Sequence, residues 1–283
     1  MILRTYVQRL GHWSAVAVKY LILCSYLIVT ILPLWWSFSN SFRTNDQIFT
    51  TMRLFPESFQ LANYLELFAV TNMPRAFYNS LSITVVTLVG LLVCVAPLCF
   101  VLSRYKFRFA GGLYFYFVIA LFIPSITVIG STFQVYKFFG FVGMKYPIVL
   151  VNVAHLLPLS ILLIISYMQS IPSSLDESAI IDGCGPWQLF TRIIMPLAQN
   201  GLVTVLILAF VNTWNDYIYP FLLLPKEHHK TLTVALAAVK TEHAVSYGMV
   251  SAAVIFAVVP MMTFYLILKE RLISGMVSGA VKG

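Results

Sequence analysis

The sequence predicts an all-α, polytopic membrane protein with six transmembrane helices, and three observations carry that prediction. Only 10% of the 283 residues are charged, against roughly 25% in an ordinary soluble domain. Hydrophobic residues make up 60% of the chain, more than a folded globule could cover with polar surface. The charges are also absent in blocks: six charge-free runs cover residues 20–42, 76–103, 109–136, 146–175, 193–215 and 243–268, and no other exceeds ten residues. A helix needs about 20 mostly apolar residues to cross the hydrocarbon, and each run supplies them. Unpaired backbone groups are costly in lipid, so runs of this length read as helices. A β-barrel would instead show shorter, alternating segments. A soluble enzyme, a disordered chain and a secreted disulfide scaffold are excluded.

The first run follows Arg4, Arg9 and Lys19 and ends in Leu34-Trp35-Trp36 without a small-residue cleavage site, so it is expected to stay as a signal anchor. Six crossings put both termini on one side. The short Arg104, Lys106, Arg108 turn, the N-terminal basic residues, and Lys269 with Arg271 place that side in the cytoplasm. In bulk the bias is small, ten basic residues inside and eight outside. Trp35-Trp36 and the cluster Trp214, Tyr217 and Tyr219 suit the opposite interface. The net charge of +8 comes without a basic run or RNA-binding signature, so it reads as topology, with no nucleic-acid partner. Every run contains a proline, among them Pro33, Pro97, Pro124, Pro158, Pro196 and Pro260. Cys24, Cys94, Cys99 and Cys184 make neither a disulfide framework nor a zinc pattern. The expected division is an N-terminal segment 1–75, a core 76–268 of five helices, and a cytoplasmic tail 269–283.

Within the core, segment 169–197 between the fourth and fifth runs does not read as membrane. Pro172 suits a first helical turn, and Ser174 with Glu177 has the Ser-x-x-Glu spacing of a capping box. Gly183 and Gly185 stop that helix, and Pro186 starts a second in which Trp187, Phe190, Ile194 and Leu197 form an apolar stripe. Two short helices bent at a glycine, with Asp176, Glu177, Asp182 and Arg192 flanking the apolar ridge, suit docking into a groove of another protein. Three acids against one base disfavour an anionic lipid surface as the target.

These residues also carry a resemblance. Glu177-Ser178-Ala179, then Gly183, Ile193 and Met195-Pro196 keep every spacing of the Glu-Ala-Ala cytoplasmic loop of binding-protein-dependent ABC importer permeases, with Ser178 for the second Ala and Met195 for Leu. Asn79-Ser80-Leu81, Trp214-Asn215-Asp216 and the closing Gly279-Ala280-Val281-Lys282-Gly283 make the chain similar to the second permease of maltose-type, carbohydrate-uptake systems. The resemblance implies a MetI-like importer-permease core and a separate ATP-binding subunit dimer held by this loop. Glu177, Ala179, Asp182, Gly183, Arg192, Ile193 and Pro196 would be the coupling residues. It further implies a second permease subunit in a heterodimer, an extracytoplasmic solute-binding protein met by residues 238–246, a sugar substrate, and a tail reaching between the ATPases. No Gly-x-x-x-x-Gly-Lys-Ser/Thr occurs, so ATP and Mg are expected on the partner subunits and no cofactor on this chain.

A pore through a helical bundle needs polar faces among apolar spans. Asn79 and Ser82 in the second run, Asn152 and His155 in the fourth, and Thr204 and Asn212 in the fifth are the candidates, neutral groups suited to a hydroxyl-rich solute. Each also suits interhelical hydrogen bonding. Asp216 is expected at the hydrated outer boundary. Adjacent His228 and His229, with His243, are weak evidence for a metal. A secondary transporter is the alternative, and it would show an acidic residue or a broken helix at mid-membrane. A membrane enzyme would need clustered His, Asp or Glu at one interface. A structural docking protein would carry no solute.

Overall fold

The computed structural model of the chain describes residues 2–51, 53–242 and 246–280. Those residues contain helices and connecting turns and no strand. They fall into two units, residues 1–71 with 239–256, and residues 72–238 with 257–283. Residues 239–256 thus group with the N-terminal segment.

In the first unit, helix α1 (Ile2–Asn40) holds all but the last two residues of the first charge-free run, and Pro33 lies inside it without ending it. Its apolar side chains from Val18 to Trp35 are exposed, as a lipid-facing surface requires. Helix α2 (Asn45–Thr50) opens on a reciprocal cap: Gln47 N–H donates to Thr44 Oγ1 at 3.4 Å, and Thr44 N–H to Gln47 Oε1 at 3.1 Å. Helix α3 (Ala62–Val70) follows. The turn joining α1 to α2 is built around Arg43, which is 2% exposed; its Nη2 donates to the carbonyls of Arg53 and Phe55, both at 2.6 Å. Arg53 pairs with Glu57 at 2.8 Å.

The second unit contains α4 (Met73–Arg104), α5 (Ala110–Ala120), α6 (Ile129–Phe138), α7 (Ile148–Gln169), α8 (Ser174–Ile181), α9 (Pro186–Gln188), α10 (Met195–Asn215), α11 (Ile218–Leu223) and most of α12 (Leu232–Glu242). Helix α13 (Tyr247–Ala280) belongs to it from residue 257 onward. Its core is where α4, α7 and α10 meet: Leu91, Val95 and Cys99 pack with Ile161, Ile164 and Met168 and with Ala198, Leu202 and Val205. Lipid gives helices little hydrophobic reason to associate, so close contact between backbones has to do it. Gly201 provides that contact, since a Cβ there would lie 2.7 Å from Cγ of Tyr167. One end of this unit carries the starts of α4 and α7 and the end of α10; the opposite end carries their other termini.

Among the described residues, five helices are each long and apolar enough to cross a membrane: Val16–Asn40, Met73–Arg104, Ile148–Gln169, Pro186–Asn215 and Tyr247–Ile267. The third charge-free run departs from the expected single helix. It is bent by 93° between α5 and a segment that begins as a 3₁₀ turn, Ser125–Val128, and continues as α6. Pro97, Pro158 and Pro260 lie inside unbroken helices, whereas Pro124 takes an extended backbone (φ −62, ψ 129) that no helix continues. The second cytoplasmic helix expected at Pro186 is also not separate. It runs through a π-helical turn, Leu189–Ile194, directly into α10. Pro196 explains the widening, since its ring clashes with the carbonyl four residues earlier and removes one helical donor. Trp214 and Tyr219 are buried within the protein and Tyr217 is exposed; Trp214 stacks on Phe210 with ring centroids 5.6 Å apart.

Candidate functional site

Two places in the second unit gather the residues that the sequence singles out. The first is a cavity of about 600 Å³ formed where the third span breaks. Ala120, Leu121, Ile123, Pro124, Ser125 and Val128 supply one wall, α7 supplies Asn152, His155 and Pro158, and Asn212, Thr213, Asp216 and Tyr219 complete it. Irregular backbone at membrane depth is tolerated where it lines a cavity or is buried in protein. Here the carbonyl of Ser125, at the start of the 3₁₀ turn that follows the break, accepts the Tyr219 hydroxyl at 3.2 Å, and the same hydroxyl lies 3.3 Å from His155 Nε2. Asn212 Nδ2 donates to Leu208 O at 2.8 Å, while Thr213 Oγ1 is buried without a partner among the described residues. The polar part of the lining is thus amide, hydroxyl and imidazole with one carboxyl, set among apolar side chains.

That carboxyl is Asp216, which the sequence had placed in hydrated surroundings. It is partly buried beside the cavity, and burial pushes its pKa up to about 6, opposed by the N–H groups of Tyr219 and Ile218. Tyr219 is raised as well, by burial first and then by the Asp216 charge. Asp216 is the one acid between Asp182 and Glu227, directly after an apolar run. That isolation was the available signal. Tyr219 and Thr213 had none.

The six pore candidates divide. Asn152, His155 and Asn212 line the cavity. Asn79 does not: it is buried, and Nδ2 holds the 226–230 loop by donating to the carbonyls of His228 and Lys230, each at 3.0 Å. Ser82 Oγ donates to Asn79 O and Thr204 Oγ1 to Asn200 O, both within their own helices.

The second place is the bent segment at the opposite end. Helix α8 starts at Ser174 with Ser173 preceding it, and no side-chain cap forms, so the expected Ser174–Glu177 capping box is absent. Its C-terminus closes as a Schellman motif: Cys184 N–H donates to Ala179 O at 2.9 Å and Gly183 N–H to Ile180 O at 3.0 Å, with Gly183 at φ +83. Only glycine adopts that conformation without strain. Ala179 is buried in the core, and Glu177, Asp182, Arg192 and Pro196 are exposed, with Ile193 half-buried.

The expected apolar stripe is split. Phe190 and Ile194 are buried in the bundle core, whereas Trp187 and Leu197 are exposed. The π turn causes this, because its wider repeat shifts the faces relative to an α-helix. The exposed ridge is instead Ile180, Ile181 and Trp187, with Ile181 85% and Trp187 72% exposed. The segment is fastened to α4 by Arg104. Nη1 and Nη2 both donate to Ile171 O at 3.2 Å, and Nε lies 3.0 Å from Oδ2 of Asp176, near enough for an ion pair though not aligned as a hydrogen bond. Arg104 also occupies the last turn of α4, where the helix dipole favours a cation.

Residues 238–246 are described only in part, since 243–245, including His243, lie outside the described residues, as do 281–283 of the tail.

Residues 87–277 match the family described as the binding-protein-dependent transport system inner membrane component. Among similar proteins, the diacetylchitobiose uptake system permease protein NgcG of Streptomyces coelicolor is 27% identical over 93% of this chain and 87% of its own length. The trehalose transport system permease protein SugB of Mycobacterium tuberculosis is 29% identical, covering 89% and 93%. The probable starch degradation products permease AmyC of Thermoanaerobacterium thermosulfurigenes is 28% identical, covering 93% and 97%. A bacterial ABC transporter that imports the acidic polysaccharide alginate shares the fold with a TM-score of 0.81, over 90% of this chain and 95% of that one, at 19% identity. A bacterial alginate transporter in complex with a pentasaccharide-bound periplasmic protein gives 0.69 over 90% and 92%, at 18% identity. The matched region covers both the cavity and the bent segment, and the chain belongs to the family of binding-protein-dependent transport system inner membrane components.

Proposed function

We propose that this chain is one of two permease subunits of an ATP-driven importer for a sugar or oligosaccharide, with the cavity as its half of the translocation pathway. The observation that carries the reading is the placement of two different surfaces at opposite ends of one helical unit. At one end Asn152, His155, Asn212 and Thr213 line a recess whose volume suits a small saccharide. At the other, Ile180, Ile181 and Trp187 stand exposed on a segment fastened by Arg104. Three relatives named for oligosaccharide or sugar uptake support the substrate class.

On this reading the ridge docks into a groove on an ATP-binding subunit, with Glu177 and Asp182 at its rim. This chain binds no nucleotide itself. The ridge end faces the cytoplasm, with both termini, and the cavity opens toward the outside, where a solute-binding protein delivers the sugar. Displacement of the ridge is passed through the Arg104 fastening to α4 and through the unbroken α9–α10 helix to Asn212 and Thr213. The hydroxyl-rich solute exchanges water for Asn, Thr, His and Tyr side chains, which accept and donate without fixed charge.

The secondary-transporter alternative loses one of its discriminating marks, since a broken span and an acidic side chain do meet at this cavity. Family membership, not the absence of those marks, sets that alternative aside. Reconstitution tests the proposal. Chain, second permease and ATPase are purified together, and ATP-dependent uptake of a neutral disaccharide into proteoliposomes is measured. Uptake that needs ATP, and is lost with Glu177→Lys or Gly183→Pro, is expected. Uptake by this chain alone, or normal assembly and transport by both variants, overturns it.

A further inference from the structure

Basic residues are disfavoured on the outer side of a membrane protein, so those found there need a use. The segments assigned to the outside hold eight, and the structure accounts for several of them. Arg43 is buried and caps two carbonyls, Arg53 pairs with Glu57, and Lys230 pairs with Glu227. Arg75, Lys145 and Lys226 have no ion-pair partner among the described residues, and all three converge on one patch of the second unit.

Their convergence is specific. Lys145 Nζ lies 4.8 Å from the centroid of the Tyr78 ring and 5.3 Å from that of Tyr146, which holds the ammonium over two aromatic faces. Arg75 is one helical turn before Tyr78 in α4, close enough that its charge, after burial, lowers the Lys145 pKa. The Lys226 side chain lies over Gly143, two residues from Lys145, at 3.3 Å from where a Cβ would stand. His229 Nδ1 meets Gly143 O at 2.9 Å, and the rings of His228 and His229 lie 4.2 Å apart. His228 is held below the usual imidazole range by desolvation and then by the charges of His229, Arg75 and Lys226. Asn79 ties this loop to α4. Three cations are therefore gathered at one end of the second unit, beside the already paired Glu227.

We infer that Arg75, Lys145 and Lys226 form a cationic docking patch for an acidic surface on the solute-binding protein of this importer. The inference rests on the proposed orientation, which makes this end the outer one. Like charges held together repel one another in the isolated chain, and an acidic partner relieves that repulsion while steering the encounter. Such steering acts mainly on the association rate and weakens as salt rises.

The test uses the assembled importer in nanodiscs and its solute-binding protein, with association followed by stopped-flow fluorescence at low and at physiological salt. Arg75→Gln/Lys145→Gln/Lys226→Gln should lower the association rate about tenfold at low salt and flatten its salt dependence. Arg53→Gln, which removes a cation already paired, should leave both unchanged. An unaltered rate and salt dependence in the triple variant overturns the patch, as does a variant that loses only affinity for anionic liposomes. The orientation is checked separately by labelling Lys226→Cys in intact cells with a membrane-impermeant thiol reagent. Labelling from outside with an unaltered association rate rejects the patch alone; labelling only in inside-out vesicles rejects the orientation.

Discussion

The two ends of the second unit solve opposite problems with the same material. At the ridge end the backbone is continuous: α8 closes on a fully bonded glycine turn, α9 runs into α10 through a π turn, and Arg104 clamps Ile171 and Asp176. At the cavity end the helix is interrupted, and the Tyr219 hydroxyl donates to the carbonyl of Ser125 beside the break. The contrast teaches how a chain can transmit force and still hold a solute. On the proposed function, rigid connections occupy the end that would receive displacement, and unsatisfied or exchangeable hydrogen-bonding groups occupy the end that would meet sugar.

The comparison breaks most readily at Arg104. Arg104→Met strands the largely buried Asp176 carboxylate, and losing one partner of such a pair costs about 3–5 kcal/mol. Arg104→Met/Asp176→Leu should recover most of the stability in thermal unfolding of the detergent-solubilised chain. ATP hydrolysis by the assembled complex should then continue while uptake stays low, because the fastening is gone. Full recovery of uptake would show that the clamp only stabilises.

Between the two ends, Gly201→Val tests the close approach of α10 to α7. The added side chain meets the Tyr167 ring, an overpacking expected to cost about 1–3 kcal/mol, with Tyr167→Ala on the same chain returning part of it.

A smaller effect is expected at Asp216. Its carboxyl has a pKa of about 6 in the folded chain against an ordinary 3.8, so the folded state holds its proton more tightly than the unfolded one. Stability contributed by the protonated acid is therefore present below about pH 4 and lost as pH rises toward 6. Asp216→Asn should raise stability at pH 7 by about 1–2 kcal/mol, with the difference vanishing at pH 4. A constant difference across that range would place the carboxylate in bulk-like solvent.

At the cavity, Asn212→Leu should leave unfolding within about 0.5 kcal/mol of the parent, as a change at an exposed position does. Its effect is expected in the sugar concentration needed for half-maximal uptake.

These contrasts also show what the sequence could and could not reveal. Missing charges locate all six runs because hydrocarbon penalises charge wherever the helix sits. The same rule is silent on breaks. Pro97, Pro158 and Pro260 look no different from Pro124, and the contact beside the break is tertiary: the hydroxyl of Tyr219, 94 residues from Ser125, donates to the Ser125 carbonyl. The Glu177 to Pro196 spacing singled out the bent segment, yet its second half is continuous with α10, and its exposed face was misread because the π turn ahead of Pro196 shifts the repeat. The Arg104–Asp176 clamp joins residues 72 positions apart and leaves no local pattern. Asn152, His155 and Asn212 were legible as polar interruptions. Asn79, read by the same rule, holds a loop instead.

The most direct measurement concerns Ile181, the most exposed member of the ridge. In a chain with Cys24, Cys94, Cys99 and Cys184 replaced by serine or alanine, Ile181→Cys is treated with a membrane-impermeant thiol reagent. No labelling in intact cells, labelling in inside-out vesicles, and protection once the ATP-binding subunits assemble are the results predicted here. Labelling of intact cells, or an unchanged rate with the ATPase bound, would contradict the assignment of this ridge as the surface that receives the motor.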